Sequence, residues 1–290
     1  MSDPEVTTAD GRRRLLEANV VAAQFFRAEL LRAPGDWPVQ HLKEARIEQV
    51  LSADSVWQIG YAPDTLTSLV DHLAAENFSY STMERAGLVV RSGETDVVDR
   101  FRDQLVLLAR DAQLRPAAFI GVGRDGQVQS SGLVSNALVG IEEQLDLLRG
   151  GATPVIVDDP VDAIAVSNVS RQLDGRWAGI PAFGAGLSTA QVRMLRKFSL
   201  GDTAIVIAVG DEHRRKLASG YLLDLSLYYD RVRAVVMPYA PSTLAAVEFG
   251  PEYFNDVLAT GRPVLTYGVG GRAAADLDYR PESPGRGPGL

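Results

Sequence analysis

The sequence predicts an α/β protein in two lobes: a mixed α+β N-terminal lobe, then a lobe built on a parallel sheet. Three observations predict it. Residues 12–33 carry apolar side chains at helical spacing. Residues 97–126 read as apolar β runs folded about a turn at Asp111–Arg115. From about residue 153 onward, short apolar β runs alternate with helical segments, the pattern of a parallel sheet covered on both faces.

In chain order, the first helix is expected to present Leu15, Leu16, Val20, Ala23, Phe26, Leu30 and Leu31 on its apolar face, with Pro34–Pro38 stopping it. A second helix is expected over Val39–Leu51. Gly60-Tyr61-Ala62-Pro63-Asp64 reads as a turn leading into a helix across Thr65–Glu76. Ser79 or Ser81 caps the next short helix, with Glu84 at capping-box distance from Ser81. Gly87 ends that helix before the strand LVVR. The hairpin DQLVLLAR and PAAFIGVG follows. In the second half, TPVIVDD, GIPAFGAG, TAIVIAVGD and VRAVVMP are strands. VDAIAVSNVSRQL, STAQVRMLRKF (capped by Ser188 or Thr189) and HRRKLASGYLLDLSLYYD are helices. Residues 1–11 and the Pro/Gly-rich 273–290 are expected to be disordered, which leaves lobes at 12–150 and 151–272.

Composition excludes several chemistries. The chain has 290 residues, 29 Lys plus Arg and 37 Asp plus Glu, for a net charge of -8. That balance argues against sequence-independent coating of DNA, which needs a broad basic surface. There are no cysteines, hence no disulfide, thiolate zinc site or cysteine nucleophile. The three histidines, His41, His72 and His213, are scattered. No Walker-type phosphate loop occurs, and no apolar run reaches the ~18 residues of a membrane span. With no secretory signal read at the N-terminus, a cytoplasmic protein without membrane partners is the expectation.

The chemistry-bearing residues are acids at strand ends. In open α/β sheets, ligands bind at the carboxyl ends of the strands. Those ends carry Asp158, Asp159 and Asp211, and Asp162 follows Asp158 by one helical turn. Oxygen ligands in this arrangement suit Mg²⁺ or Mn²⁺, which could orient a nucleotide for phosphoryl or nucleotidyl transfer. The same acids equally suit helix N-caps and solvated strand ends.

With those motifs in place, residues ~12–265 resemble the catalytic core of bacterial DnaG-type DNA primases, including its Toprim domain. The likeness runs through LLEANVVAAQFF, IGYAPDTLTSLVDHL, MERAGLVV, DRFRDQLVLLARDAQLRPAAFIGVG, VIVDDPVDAIAVS, IPAFGAGLSTAQVRMLRK and IVIAVGDEHRRKLA, in the family's order. The resemblance implies a Toprim-like second lobe and metal-dependent RNA primer synthesis on single-stranded DNA, among replication proteins. It implies Asp158, Asp162 and Asp211 as catalytic and metal-binding residues for Mg²⁺ or Mn²⁺. It implies Arg100, Arg102, Arg110 and Arg124 as a nucleic-acid-binding track.

This chain departs from the family where the chemistry sits. The family's first acidic motif has a glutamate where this chain has Asp158. Its aspartate-glycine-aspartate has become Val209-Gly210-Asp211, and valine cannot coordinate a cation. A basic stretch after the hairpin is replaced by VQSSGLVSNALV. The later lysine-aspartate-proline segment has become PYAPSTL. Residues 1–150 hold 15 basic and 22 acidic side chains, so the half expected to grip template is the more acidic half. No zinc is expected, because the family's zinc-binding domain has no counterpart here, nor does its helicase-interaction domain. The expectation is a degenerate homologue with weak or lost primer synthesis. The alternative is a non-catalytic module that binds nucleic acid or protein.

The remaining features read blandly. Arg12-Arg13-Arg14 is a solvated helix start. Arg214-Arg215-Lys216 is as much a helix face as a phosphate site, and His213 is surface. Trp57, Trp177 and Phe183 belong to core or rim, and Tyr61 packs.

Overall fold

The computed structural model describes residues 9–32, 35–93, 96–132, 134–184, 186–209 and 224–263. Both predicted lobes are present. Helix α1 (Ala9–Arg32) begins inside the segment expected to be disordered. Its buried stripe is Ala18, Asn19, Ala22, Phe26 and Leu30, a four-residue spacing. Val20 and Leu31, expected on that face, are exposed, because small alanines rather than the larger apolar residues face the sheet. Gly60 shows why space is short there: a Cβ on it would lie 2.4 Å from the Phe26 Cβ.

The helix expected over 39–51 is instead α2 (Trp37–Glu44) and a separate 3₁₀ turn, Glu48–Leu51. Arg46, with φ of 52°, breaks the run. Gly60–Ala62 is not a turn but a short strand, β1, paired antiparallel with Gln104–Val106. Helix α3 (Ser68–Ala75) and helix α4 (Tyr80–Arg85) follow; Ser79, not Ser81, caps α4 through the Thr82 N–H. Gly87 has a φ of 71°, as its role in ending the helix requires. Strands β2 (Val89–Ser92) and β3 (Asp96–Asp99) pair with each other. Strands β4 (Gln104–Arg110) and β5 (Pro116–Gly123) form the predicted hairpin. β6 (Val128–Ser130) and β7 (Leu138–Val139) complete that sheet, and α5 (Leu145–Arg149) leads out of the lobe.

The second lobe is β8 (Thr153–Val157), α6 (Pro160–Gln172), β9 (Trp177–Pro181), α7 (Thr189–Phe198), β10 (Thr203–Val209) and β11 (Arg231–Met237). Two helices, α8 (Pro241–Ala245) and α9 (Gly250–Ala259), and the short β12 (Arg262–Pro263) follow. The order is β12-β11-β10-β8-β9, parallel except for β12. Ser188 caps α7 with a full capping box. The helix expected over 213–230 lies largely outside the described residues.

Side-chain alternation builds three cores. In β4, Leu105, Leu107 and Ala109 face one core, while Val106 and Leu108 face another under α1, α3 and α4. In β8 and β10, Val155, Val157, Ile205 and Ile207 join the first core, while Ile156, Ala204, Val206 and Ala208 pack toward α7. The first core therefore runs through both lobes. Trp57 and Trp177 are buried in it, as expected. Among the described residues, no helix is long and apolar enough to cross a membrane.

Candidate functional site

The chain runs from β8 to β9 on one side and then crosses back to place β10 on the other side of β8. The carboxyl ends of β8 and β10 are therefore the sheet's topological switch point, where open α/β sheets bind ligands. Val157 ends β8 and hands the chain to Asp158 and Asp159. Asp159 is the N-cap of α6: its carboxylate accepts the Val161 N–H at 2.7 Å. Pro160, in the first turn, needs no acceptor. Asp158 is half-buried, and its backbone carbonyl accepts the Phe183 N–H at 2.9 Å. Phe183 is partly buried against the core with a φ of 53°.

Asp162 sits one turn into α6 and is 7% exposed. Its Oδ1 accepts the Ser242 N–H at 3.0 Å and the Ser242 hydroxyl at 2.7 Å. That N–H is one of the orphan donors at the start of α8, whose own N-cap, Ala240, offers no side-chain acceptor. Asp162 is thus a cap supplied from a distant helix. β10 ends at Val209 on the same edge, and Asp211, like His213 and Arg214–Lys216, lies outside the described residues. Asp158 and Asp162 do share one sheet edge. Among the described residues, no three His, Asp or Glu side chains are placed to hold a metal ion.

The arginines do not form one track. Arg100 follows β3 and is half-buried, with an Nε that has no hydrogen-bond partner. Its neighbour Asp99 is buried and accepts the Leu69 and Val70 N–H groups, each at 2.9 Å, and the Ser68 hydroxyl at 3.3 Å. Asp99 therefore caps α3. Burial raises its pKa, and these hydrogen bonds pull the other way. Arg102 and Arg124 are exposed. The register Gln104↔Gly123 sets them at the same end of the β4–β5 hairpin. Arg110 is at the other end, roughly 20 Å along the strand. It is ion-paired with Glu142 and donates to the Leu114 carbonyl.

Between the lobes lies a cleft of about 450 Å³, lined among others by Trp37, His41, Glu44, Arg124, Asp125 and Asp159. One wall is fixed by a triad that sequence reasoning missed. Asp103 Oδ1 accepts the Trp37 Nε1–H at 2.5 Å and the Tyr61 hydroxyl at 2.9 Å. Burial, and then Asp103, push the Tyr61 phenol well above its usual pKa. Tyr61 itself is buried and packs, as expected. The available signal was the acid directly after Arg102 in DRFRD, together with a tryptophan opening α2.

The comparisons agree with this architecture. Residues 25–130 match the family described as the DNA primase catalytic core, N-terminal domain. The DNA primase of Synechococcus elongatus is 29% identical over 71% of this chain and 30% of its own length. That of Deinococcus radiodurans is 26% identical over 89% of this chain and 45% of its own. The chain thus spans less than half the length of these relatives. A structure of the DnaG primase catalytic domain bound to single-stranded DNA superposes with a TM-score of 0.70 at 18% identity, over 88% of this chain and 84% of that one. The RNA polymerase domain of Mycobacterium tuberculosis DnaG, in complex with double-stranded DNA, gives 0.69 at 23% identity, over 87% and 82%. The fold is that of these DnaG catalytic-domain structures: a mixed α+β lobe joined to a lobe built on a parallel sheet. Within that fold, residues 25–130 are similar to the N-terminal domain of the DNA primase catalytic core.

Proposed function

We propose that the chain is a primase-like protein of DNA replication that binds single-stranded DNA, with metal-dependent primer synthesis weak or lost. The observation that carries this reading is the use of Asp162. Its Oδ1 already accepts two hydrogen bonds from Ser242, and Val209 ends the neighbouring strand. A Mg²⁺ or Mn²⁺ ion supplies Lewis-acid stabilisation of phosphoryl oxygens in such chemistry. Asp158, Asp162 and Asp211 are the residues that would hold it. The described part of that set offers two carboxylates, one of them committed to a helix cap.

Arg102 and Arg124, exposed at one end of the hairpin, are the proposed nucleic-acid contacts. Arg100 supports them from its half-buried place, and Arg110 contributes less because Glu142 holds it. The proposed lobes are 12–150 and 151–272, and replication proteins are the proposed partners. The test pairs two assays on the full chain. Primer synthesis with Mg²⁺ or Mn²⁺ on single-stranded template is expected to be weak or absent, and an efficient synthesis removes the degenerate reading. Anisotropy of a labelled single strand at low salt is expected to rise. A flat titration leaves the non-catalytic protein-interaction module as the function of the fold.

A further inference from the structure

We infer that the cleft between α2 and the end of β5 is a nucleobase subsite, with the Trp37 indole as its stacking platform. The inference rests on the single-strand-binding reading above and assigns it a specific contact. The cleft's volume of about 450 Å³ is in the range of small-molecule sites. Trp37 is the one tryptophan of three that is not buried; Trp57 and Trp177 are 2% and 6% exposed. Its indole is held at the edge by Asp103, which Tyr61 also holds, so the ring plane is set before any ligand arrives. An ordered aromatic face in a concave site loses little freedom on binding a planar ring. The Arg124 guanidinium lies 5.9 Å from the ring centroid, and the His41 ring 6.2 Å away at 55°. Arg124 is exposed and can lie over the outer face of an inserted base.

The rim decides which part of a nucleotide enters. Glu44, Asp125 and Asp159, when ionised, accept hydrogen bonds and donate none, and together they outnumber Arg124. They repel a phosphate and match the exocyclic amino group of adenine, cytosine or guanine. The base enters and the phosphate stays outside, on the side of Arg102. Uracil and thymine, which lack that amino group, fit less well.

The test uses tryptophan fluorescence of the full chain, in which Trp37 is the accessible emitter. AMP, UMP and ribose 5-phosphate are titrated separately, then an oligo-dA strand and a sugar-phosphate strand of the same length without bases. Quenching is expected from AMP and oligo-dA, less from UMP, and none from the two ligands that lack a base. Arg124→Ala, at an exposed position, should weaken AMP binding severalfold, and Trp37→Leu should abolish the quenching. Loss of one base–aromatic stack corresponds to roughly fivefold or more in affinity. Equal quenching by ribose 5-phosphate, quenching that survives Trp37→Leu, or no response to any base up to millimolar concentration overturns the subsite. Anisotropy of a labelled strand, read in parallel, separates the two readings. Strand binding with a silent Trp37 overturns only the subsite. Quenching by AMP with flat anisotropy overturns only the single-strand-binding function.

Discussion

Glu143 carries a cost that should be readable as a pH-dependent stability. It lies between β7 and α5, is 7% exposed, and has an Oε2 with no hydrogen-bond partner. Its neighbour Gln144 is fully buried, and neither amide atom is paired. Burial raises the Glu143 carboxyl to about 7; nearby Arg110 opposes the rise but is itself ion-paired with Glu142. Below pH ~4.5 the carboxyl is protonated whether the chain is folded or not, and the site costs nothing. Between that pH and about 7 the unfolded chain ionises while the folded one stays neutral, so stability falls. Above 7 the loss is complete and levels off. A displacement from 4.5 to about 7 corresponds to about 3 kcal/mol. Glu143→Gln keeps the shape and removes the titration. Urea denaturation at pH 5, 6, 7 and 8 should find the variant close to the parent at pH 5. By pH 8 it should be more stable by up to about 3 kcal/mol. Taking the difference between the two proteins cancels every other titrating group. A difference that does not change from pH 5 to pH 8 refutes a neutral buried Glu143.

Three further substitutions test the fold around the site. Asp99→Ala strips the acceptor from the Leu69 and Val70 N–H groups and should cost about 2–3 kcal/mol in urea denaturation; a loss below about 0.5 kcal/mol removes Asp99 as the cap of α3. Gly179→Ala sets a Cβ 2.0 Å from the Ala163 carbonyl oxygen, where β9 meets α6. It should cost about 3 kcal/mol or more, or yield insoluble protein, and a melting temperature within two degrees or so of the parent contradicts that packing. Asp162→Ala leaves both Ser242 donors without their acceptor and should lower stability by about 1–3 kcal/mol equally in EDTA and in Mn²⁺. A loss seen only with metal present would make Asp162 an ion ligand first.

The second lobe was the more legible half, for a physical reason. Its strands are buried on both faces and read as unbroken apolar runs, and its helices carry capping signals such as Ser188 and Gln191. The N-terminal lobe uses shorter elements whose state is set by tertiary contact. Gly60–Ala62 has turn-forming residues around it, yet it pairs with β4, and at Gly60 α1 leaves room for nothing larger than glycine. Val20 and Leu31 follow a helical period but are outcompeted by Ala18 and Ala22, which allow α1 to approach the sheet. At the sheet edge, the placing of Asp158 and Asp162 was legible because strand ends and helical turns have fixed geometry. Trp37, Tyr61 and Asp103 were missed because they come from three distant segments, and only the fold brings them to one carboxylate oxygen.

Asp162 ties α6 to the start of α8. The two donors from Ser242 fill both lone-pair directions of Oδ1. A cation drawing on that oxygen has to displace at least one of them, and the displaced N–H belongs to a helix start that has no other side-chain cap. An aspartate at an N-cap satisfies its own helix, whereas alanine cannot. With Ala240 in that place, the orphan donors of α8 need an oxygen from elsewhere, and the carboxylate one turn into α6 is the oxygen they have. Alanine at residue 240 and commitment of the acid at residue 162 are therefore physically linked: the first creates the demand that the second meets. Freeing Asp162 Oδ1 for an ion then requires Ala240→Asp, because Val209→Asp alone leaves Asp162 holding the helix.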